Sequence, residues 1–260
     1  MRAAVLGSPI AHSLSPLLHR AAYAALGLPW SYDAIEVQPS GLADFVDGLG
    51  PEWVGLSLTM PLKQTVLPLL ASLDPVAAAT GAVNTVLLPS RAGHNTDVHG
   101  IVAALGLPRV SWGVVLGGGA TAASALAALA QLGERAPDVL VRDVSRAGPL
   151  LAAAERLGVQ PHVQVLGPDL LSQPDVDVVI NTTPAGALDD LVVPLDPRQL
   201  PVLLDVVYAP WPTPLAAQWL AAGGTVVSGR DMLLHQAAEQ VRLMTGLEPP
   251  LDVMRAALPG

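Results

Sequence analysis

Lys63 is the single lysine among 13 basic residues; the other 12 are arginines. Arginine keeps its proton in proteins, whereas a desolvated lysine titrates. A chain that builds its ordinary positive charge from arginine and keeps one lysine therefore points to proton chemistry at that lysine. Thr59-Met60-Pro61-Leu62-Lys63 follows a strand-like run and sets Lys63 one turn into a helix, at the carboxyl edge of a sheet where α/β crevices form. Asn95-Thr96-Asp97 comes just before a second set of elements begins. An aspartate there is placed to line a cleft, pair with Lys63, orient it and relay its proton. The plainer reading of Thr96 or Asp97, a helix cap, stands beside it. Ser13 and Ser15 put hydroxyls near a helix start, where Ser15 also reads as a cap, and Asn84 in Gly81-Ala82-Val83-Asn84-Thr85 is a strand-edge amide or a turn residue.

A second chemistry is written in Val114-Val115-Leu116-Gly117-Gly118-Gly119-Ala120-Thr121-Ala122. This fits strand–GxGxxA–helix. Gly117 allows the tight turn, Gly119 lets backbone approach a pyrophosphate, and Ala122 lets helix and strand pack closely, with phosphate on the helix N-terminus. Where the next strand ends, Val141-Arg142-Asp143-Val144-Ser145-Arg146 contains both marks that separate the two nicotinamide dinucleotides. Arg142 and Arg146 can clasp a 2′-phosphate, which favours NADP, and Asp143 can hold a free ribose hydroxyl, which leaves NAD as the alternative.

The elements that must position these groups alternate. Residues 2–6, 31–37, 53–58 and 83–88 read as strands. Residues 15–26, opened by Ser15-Pro16, then 41–48 and 62–70 read as helices. Such alternation predicts an α/β domain with a mostly parallel sheet. From about residue 100 a second march begins. Helices are expected at 101–105, 121–132 and 150–157, and strands at 113–116, 139–141, 163–165, 176–180, 202–206 and 225–227. Residues 232–244 form a long last helix expected to return to the first domain. The expected division is 1–99 completed by 232–260, and 100–231 as the dinucleotide-binding domain, with an interdomain cleft between them.

Composition narrows the function classes. Of 260 residues, 51% are hydrophobic and 13% charged, enough for packed cores and unlike a disordered chain. A formal net charge of −9 disfavours nucleic acid as a partner. The absence of cysteine excludes disulfides, thiolate catalysis and zinc–thiolate sites, and no metal site is expected. The N-terminus lacks a secretory shape, so a cytoplasmic location is expected. Residues 113–133 carry no charge but split into an apolar run, a glycine turn and an alanine-rich helix, so no membrane span is expected.

These pieces occur in one familiar order, and over essentially its full length the chain resembles the shikimate dehydrogenases. The resemblance rests on residues 7–19 (GSPIAHSLSPLLH), on Thr59 to Lys63, on Gly81 to Thr85 and on Asn95 to Asp97. It continues through Asn181-Thr182-Thr183-Pro184, Asp205-Val206-Val207-Tyr208-Ala209-Pro210 with Thr213-Pro214-Leu215, and Gly229 followed by Met232-Leu233-Leu234-His235-Gln236-Ala237. It implies an N-terminal α/β substrate domain and a Rossmann-type domain. It implies reversible NADPH-dependent reduction of 3-dehydroshikimate to shikimate on the route to aromatic amino acids, with Lys63 and Asp97 as the acid/base pair. Ser13, Ser15, Thr59, Asn84, Asp97, Tyr208 and Gln236 are implied to hold the substrate. Gly117 to Ala122, Arg142, Asp143, Arg146, Thr182, Val206 and Gly229 are implied to hold the cofactor, and related enzymes suggest a monomer or homodimer. Three positions depart from the family pattern. Ser57 replaces an asparagine, Ala120 replaces a glycine, and Val141-Arg142-Asp143 replaces Asn-Arg-Thr. They keep open an NAD-dependent quinate/shikimate dehydrogenase or an aminoshikimate-type paralogue, and a non-catalytic ligand-binding protein on the same scaffold is the remote alternative.

Overall fold

The apolar run after Met1 forms β1 (Arg2–Gly7), and strand and helix then alternate as α1 (Ser15–Ala25), β2 (Ser31–Glu36), α2 (Leu42–Asp47), β3 (Trp53–Leu58), α3 (Leu62–Thr65), β4 (Ser72–Leu73), α4 (Pro75–Thr80), β5 (Thr85–Leu87), β6 (Ala92–His94) and α5 (Asp97–Leu105). The structure, a computed structural model, describes residues 1–259. These strands make a six-stranded sheet of order β2-β1-β3-β5-β6-β4. Strand β1 is parallel to both neighbours and β4 is parallel to β6, whereas β5 is antiparallel to β3 and to β6. Five strands thus run one way and β5 runs against them, because the few residues between β5 and β6 allow only a hairpin. The helix expected over 62–70 stops at Thr65, and a 3-10 turn over Leu67–Leu69 follows. Pro68 is the cause: it has no N–H to donate and its ring crowds the preceding turn.

The rest of the chain supplies β7 (Gly113–Leu116), α6 (Ala120–Gln131), β8 (Asp138–Val141), α7 (Gly148–Leu157), β9 (His162–Val165), β10 (Val178–Asn181), β11 (Val202–Asp205), α8 (Pro214–Ala221), β12 (Val226–Ser228), α9 (Gly229–Thr245) and α10 (Leu251–Ala256). Its sheet has the order β12-β11-β10-β7-β8-β9 with every pairing parallel. The first strand, β7, lies in the middle. The chain builds outward to β9 on one side and then to β12 on the other, the doubly wound Rossmann arrangement, whose switch point lies between β7 and β10. The chain divides into two compact units, Met1–Gly100 with Leu233–Gly260, and Ile101–Met232. Both boundaries fall inside helices, α5 and α9. No helix among the described residues is long and apolar enough to cross a membrane.

In the first unit β1 is buried on both faces, and its alternation feeds two cores. Ala3 and Val5 join Leu18, Ala22, Leu234, Val241 and Met254, from α1, α9 and α10. Ala4 and Leu6 join Leu42, Val46, Leu62 and Ala77 on the other face. In the second unit Val114, Leu116, Val179 and Leu203 pack with Trp219 of α8. Helix α6 is buried nearly throughout, and its alanines allow close approach to the sheet.

One polar side chain sits deep in the first core. His19 is fully buried and stacks on Tyr32 at 3.9 Å. Its Nε2 lies 3.2 Å from Gln240 Oε1 and its Nδ1 lies 3.3 Å from the Tyr23 hydroxyl. A carboxamide oxygen only accepts, so Nε2 carries the ring proton and Nδ1 accepts from Tyr23. Burial pushes the His19 pKa from 6.5 down to about 3, with the Gln240 hydrogen bond opposing the shift. The unfolded chain therefore binds this proton more readily, so the contribution of neutral His19 is complete above pH 6.5 and is lost as pH falls toward 3. Urea titrations at pH 7 and pH 5 are expected to show His19→Gln losing a stability slope of up to about 1.4 kcal/mol per pH unit. Equal slopes in both chains would remove His19 as its source.

Candidate active site

Lys63 is placed by the end of β1. The Thr59 amide donates to the Leu6 carbonyl (2.9 Å) and the Ser8 amide to the Met60 carbonyl (3.1 Å), so the turn after β3 lies directly on β1. A Cβ at Gly7 would sit 2.4 Å from the Thr59 methyl and 3.0 Å from the Met60 carbonyl oxygen, which requires glycine there. The Leu62 amide then donates to the Thr59 carbonyl (2.8 Å) to start α3, and the Lys63 carbonyl accepts from the Val83 amide (2.9 Å), beside Asn84.

Asp97 opens α5. Its amide donates to Asn95 Oδ1 (3.1 Å), and Asn95 Nδ2 donates to Thr80 Oγ1 (2.9 Å). Its carboxylate faces Lys63: Nζ lies 2.5 Å from Oδ2, with the side chains only 15% and 6% exposed. The other oxygen, Oδ1, accepts from Asn84 Nδ2 at 2.8 Å. The Asp97 side chain thus serves an ion pair, and the capping alternative falls to Asn95, whose oxygen takes the Asp97 amide.

Asn84 is buried at the centre of this cluster. Its Oδ1 accepts from the Thr96 amide (2.9 Å) and the Thr85 hydroxyl (2.9 Å), which fixes the amide orientation. Its Nδ2 faces Asp97 Oδ1, Thr96 Oγ1 (2.9 Å) and Gln236 Oε1 (3.3 Å). Gln236 reaches this point from α9 and also lies 3.4 Å from Thr96 Oγ1. Ser15 is not the cap that its place before Pro16 suggested. Leu14 occupies the cap position, Ser15 is the first helical residue, and no side chain caps α1. The Ser15 amide donates to Ser13 Oγ (3.3 Å), and the Ser15 side chain is buried. Thr59 is half-buried at the end of β3. In this unit the structure gathers Lys63, Asp97, Asn84 and Gln236 into one hydrogen-bonded group.

Position 57 had no partner in the sequence reading. Ser57 is buried, accepts from the Tyr32 hydroxyl (2.6 Å) and donates to Gln240 Oε1 (2.8 Å). Gln240, His19 and Tyr32 were not singled out from sequence. The available signal was spacing, since Gln240 follows Gln236 by one helical turn and shares its face.

In the second unit the glycine turn lies at the switch point. Gly117 has φ 108°, and a Cβ there would sit 2.6 Å from Thr182 Oγ1. A Cβ at Gly118 would press on Val141 at 3.3 Å. Gly119 precedes α6, and no side chain caps that helix. Gly118 and Gly119 are exposed, Ala120 and Thr121 are half-buried and Ala122 is fully buried. Thr182 donates its hydroxyl to the Leu116 carbonyl (2.7 Å), fastening the loop after β10 to the end of β7. Gly229 lies against β11, where a Cβ would meet the Val206 carbonyl oxygen at 2.2 Å. Asp205, fully buried, accepts from Asn181 Nδ2 (3.0 Å), the Val207 amide (3.1 Å) and the Thr213 hydroxyl (2.6 Å); burial raises its pKa while these bonds oppose the rise. Tyr208 follows half-buried, its pKa also raised by burial.

Asp143 has a local task. Its Oδ1 accepts from the Ser145 hydroxyl (2.6 Å) and the Ser145 amide (3.0 Å), which caps the 3-10 turn Val144–Arg146 and lowers the carboxyl pKa. Arg142 and Arg146 flank it, both exposed, and neither forms an ion pair among the described residues.

Chemically, the first unit presents a lysine–carboxylate pair withdrawn from water, and the second presents an uncapped helix N-terminus with two arginines after the next strand. Residues 5–86 match the family described as the shikimate dehydrogenase substrate binding domain, and residues 229–258 match the shikimate 5′-dehydrogenase C-terminal domain. A shikimate dehydrogenase (NADP(+)) of Citrifermentans bemidjiense is 40% identical, over 98% of this chain and 93% of that protein. The crystal structure of Mycobacterium tuberculosis shikimate dehydrogenase is 41% identical with a TM-score of 0.87, covering 98% of both chains. That of Thermus thermophilus shikimate 5-dehydrogenase in complex with NADP(H) and shikimate is 34% identical with a TM-score of 0.84, covering 99% of this chain and 98% of the other. Identity at this level over nearly the whole length, on the same fold, makes this chain a member of the shikimate dehydrogenase family.

Proposed function

We propose that this chain catalyses the reversible NADPH-dependent reduction of 3-dehydroshikimate to shikimate, with Lys63 and Asp97 as its acid/base pair. The observation that carries the reading is the ion pair itself: 2.5 Å between Nζ and Oδ2, withdrawn from solvent and braced by Asn84. Reducing a ketone to an alcohol adds a hydride at carbon and a proton at oxygen. The bound cofactor supplies the hydride. The chain supplies the proton: the Lys63–Asp97 pair gives it up as the oxygen gains negative charge, and takes it back when the alcohol is oxidised. General acid help of this kind is typically worth ~10²–10⁴-fold. The two groups are in direct contact, so the proton is assigned to the pair and not to one residue of it.

Ser13, Ser15, Thr59, Asn84, Gln236 and Tyr208 are assigned to the substrate carboxylate and hydroxyls. Asn84 has a double task here, since its amide already orients Asp97.

The second unit fits a dinucleotide phosphate. Exposed backbone at Gly118 and Gly119, at a helix start without a side-chain cap, leaves amide donors for a pyrophosphate. Asp143 is committed to Ser145, so Arg142 and Arg146 are the groups left to meet a 2′-phosphate, and NADP is the cofactor this supports. Thr182, Val206 and Gly229 shape the adjoining loops. The same reading carries a cytoplasmic location and a monomer or homodimer as the working form.

Steady-state oxidation of shikimate, followed at the reduced-nicotinamide absorbance, is expected to prefer NADP⁺ to NAD⁺. A preference for NAD⁺, with quinate also turned over, would replace this assignment with the catabolic type. Replacing Arg142 and Arg146 together by serine should raise KM for NADP⁺ at least about tenfold, the scale of one lost charge-assisted hydrogen bond, and leave KM for NAD⁺ nearly unchanged. Lys63→Ala should lower kcat by about 10²–10⁴ with a smaller change in KM, and an unchanged kcat would end the acid/base assignment.

A further inference from the structure

Gln240 is buried and makes all four hydrogen bonds that a carboxamide can make. Its Nε2 donates to the Asn84 carbonyl (3.1 Å) and to the Thr85 hydroxyl (2.9 Å). Its Oε1 accepts from the Ser57 hydroxyl (2.8 Å) and from His19 Nε2 (3.2 Å). Two arms leave this hub. Along the first, Thr85 accepts from Gln240 and donates its hydroxyl to Asn84 Oδ1 (2.9 Å), which turns the Asn84 Nδ2 toward Asp97 Oδ1 (2.8 Å). Along the second, Ser57 accepts from Tyr32 (2.6 Å), whose ring stacks on His19 (3.9 Å).

From this geometry we infer that Gln240 is a positioning residue that ties the Lys63–Asp97 pair to one buried point on α9. The inference rests on the roles proposed above for Lys63 and Asp97. Each arm has a distinct consequence. The Thr85–Asn84 arm fixes which face of the Asn84 amide meets Asp97, and so acts on proton transfer. The Ser57–Tyr32 arm braces Gln240 itself, since Tyr32 stacks on His19 at 3.9 Å and His19 Nε2 donates to Gln240 Oε1.

A purely structural glutamine would, on removal, lower stability without separating kcat from KM. Wild-type turnover of shikimate with NADP⁺, measured first, tests the underlying reading on its own. Thr85→Val, which removes one neutral hydrogen bond from the first arm, is expected to lower kcat about three- to tenfold with KM for shikimate changed less than about twofold. Ser57→Ala, which leaves His19 on Gln240 Oε1, is expected to lower the melting temperature while changing kcat and KM less than about twofold. Gln240→Met, similar in length and without an amide, should lower kcat by about tenfold or more. Kinetics are read beside circular dichroism and thermal melting, so that loss of folded protein is not counted as loss of rate. Loss of kcat in Thr85→Val and Gln240→Met but not in Ser57→Ala supports the inference. Wild-type kcat in Thr85→Val overturns it, as does a Ser57→Ala chain that loses kcat as Thr85→Val does. Should Gln240→Met fail to fold, the two arm variants carry the same test with the same two outcomes.

Discussion

A lysine ammonium and a carboxylate withdrawn from water are stable only where each finds the other and the remaining donors and acceptors are matched. Lys63 and Asp97 lie 34 residues apart, on α3 and α5. Their meeting obliges the end of β3, the strand edge before β5 and the start of α5 to converge. Local chemistry makes that convergence specific. Gly7 admits the turn that carries Lys63, Asn95 takes the Asp97 amide, and Asn84 occupies the second carboxylate oxygen. A buried pair of this kind contributes little net stability, and removing either partner strands a charge at a cost of about 3–5 kcal/mol. Such an arrangement is explained better by chemistry than by folding.

The second unit works by the opposite means. Its candidate ligand-binding surface is made of backbone, with no side chain capping α6 and positive φ at Gly117. Backbone donors are pre-positioned by the fold and lose no side-chain entropy when a ligand arrives. This matters for a chain with a formal net charge of −9, whose overall field repels anions. A phosphate can be held only by concentrated local donors, and the helix start with Arg142 and Arg146 is the proposed set. Asp143, in the same loop, does not undercut this, because its carboxylate closes a turn on Ser145.

Much of this was legible along the chain. Strong periodic runs gave β1, β3, β7 and α6 close to their observed ends, since continuous apolar strands and an alanine-rich helix carry clear patterns. Short elements escaped: β4 and β6 hold two and three residues, too few for any period. Helices α4 and α8 escaped although Asp74-Pro75 and Thr213-Pro214 announce them, each with a side chain capping the first turn. The same signal misled at Ser15-Pro16, where the serine lies one position inside the helix and no side chain caps the first turn. A cap signature marks a helix start reliably, but not the exact residue at the cap position.

Residue type and order along the chain were enough to single out Lys63, Asp97 and the glycine turn, because scarcity, a turn that demands glycine and an abrupt strand end are local properties. The partners of polar groups belong to another level. That Ser57 leans on Gln240, that Asn84 points its amide at Asp97, and that Asp143 turns to its neighbour depend on which atoms lie within 3 Å after burial. Ser57 and Gln240 stand 183 residues apart. A buried donor takes whichever acceptor packing brings near, because leaving it unpaired costs about 1–3 kcal/mol, and no pattern of spacing in the chain records that choice.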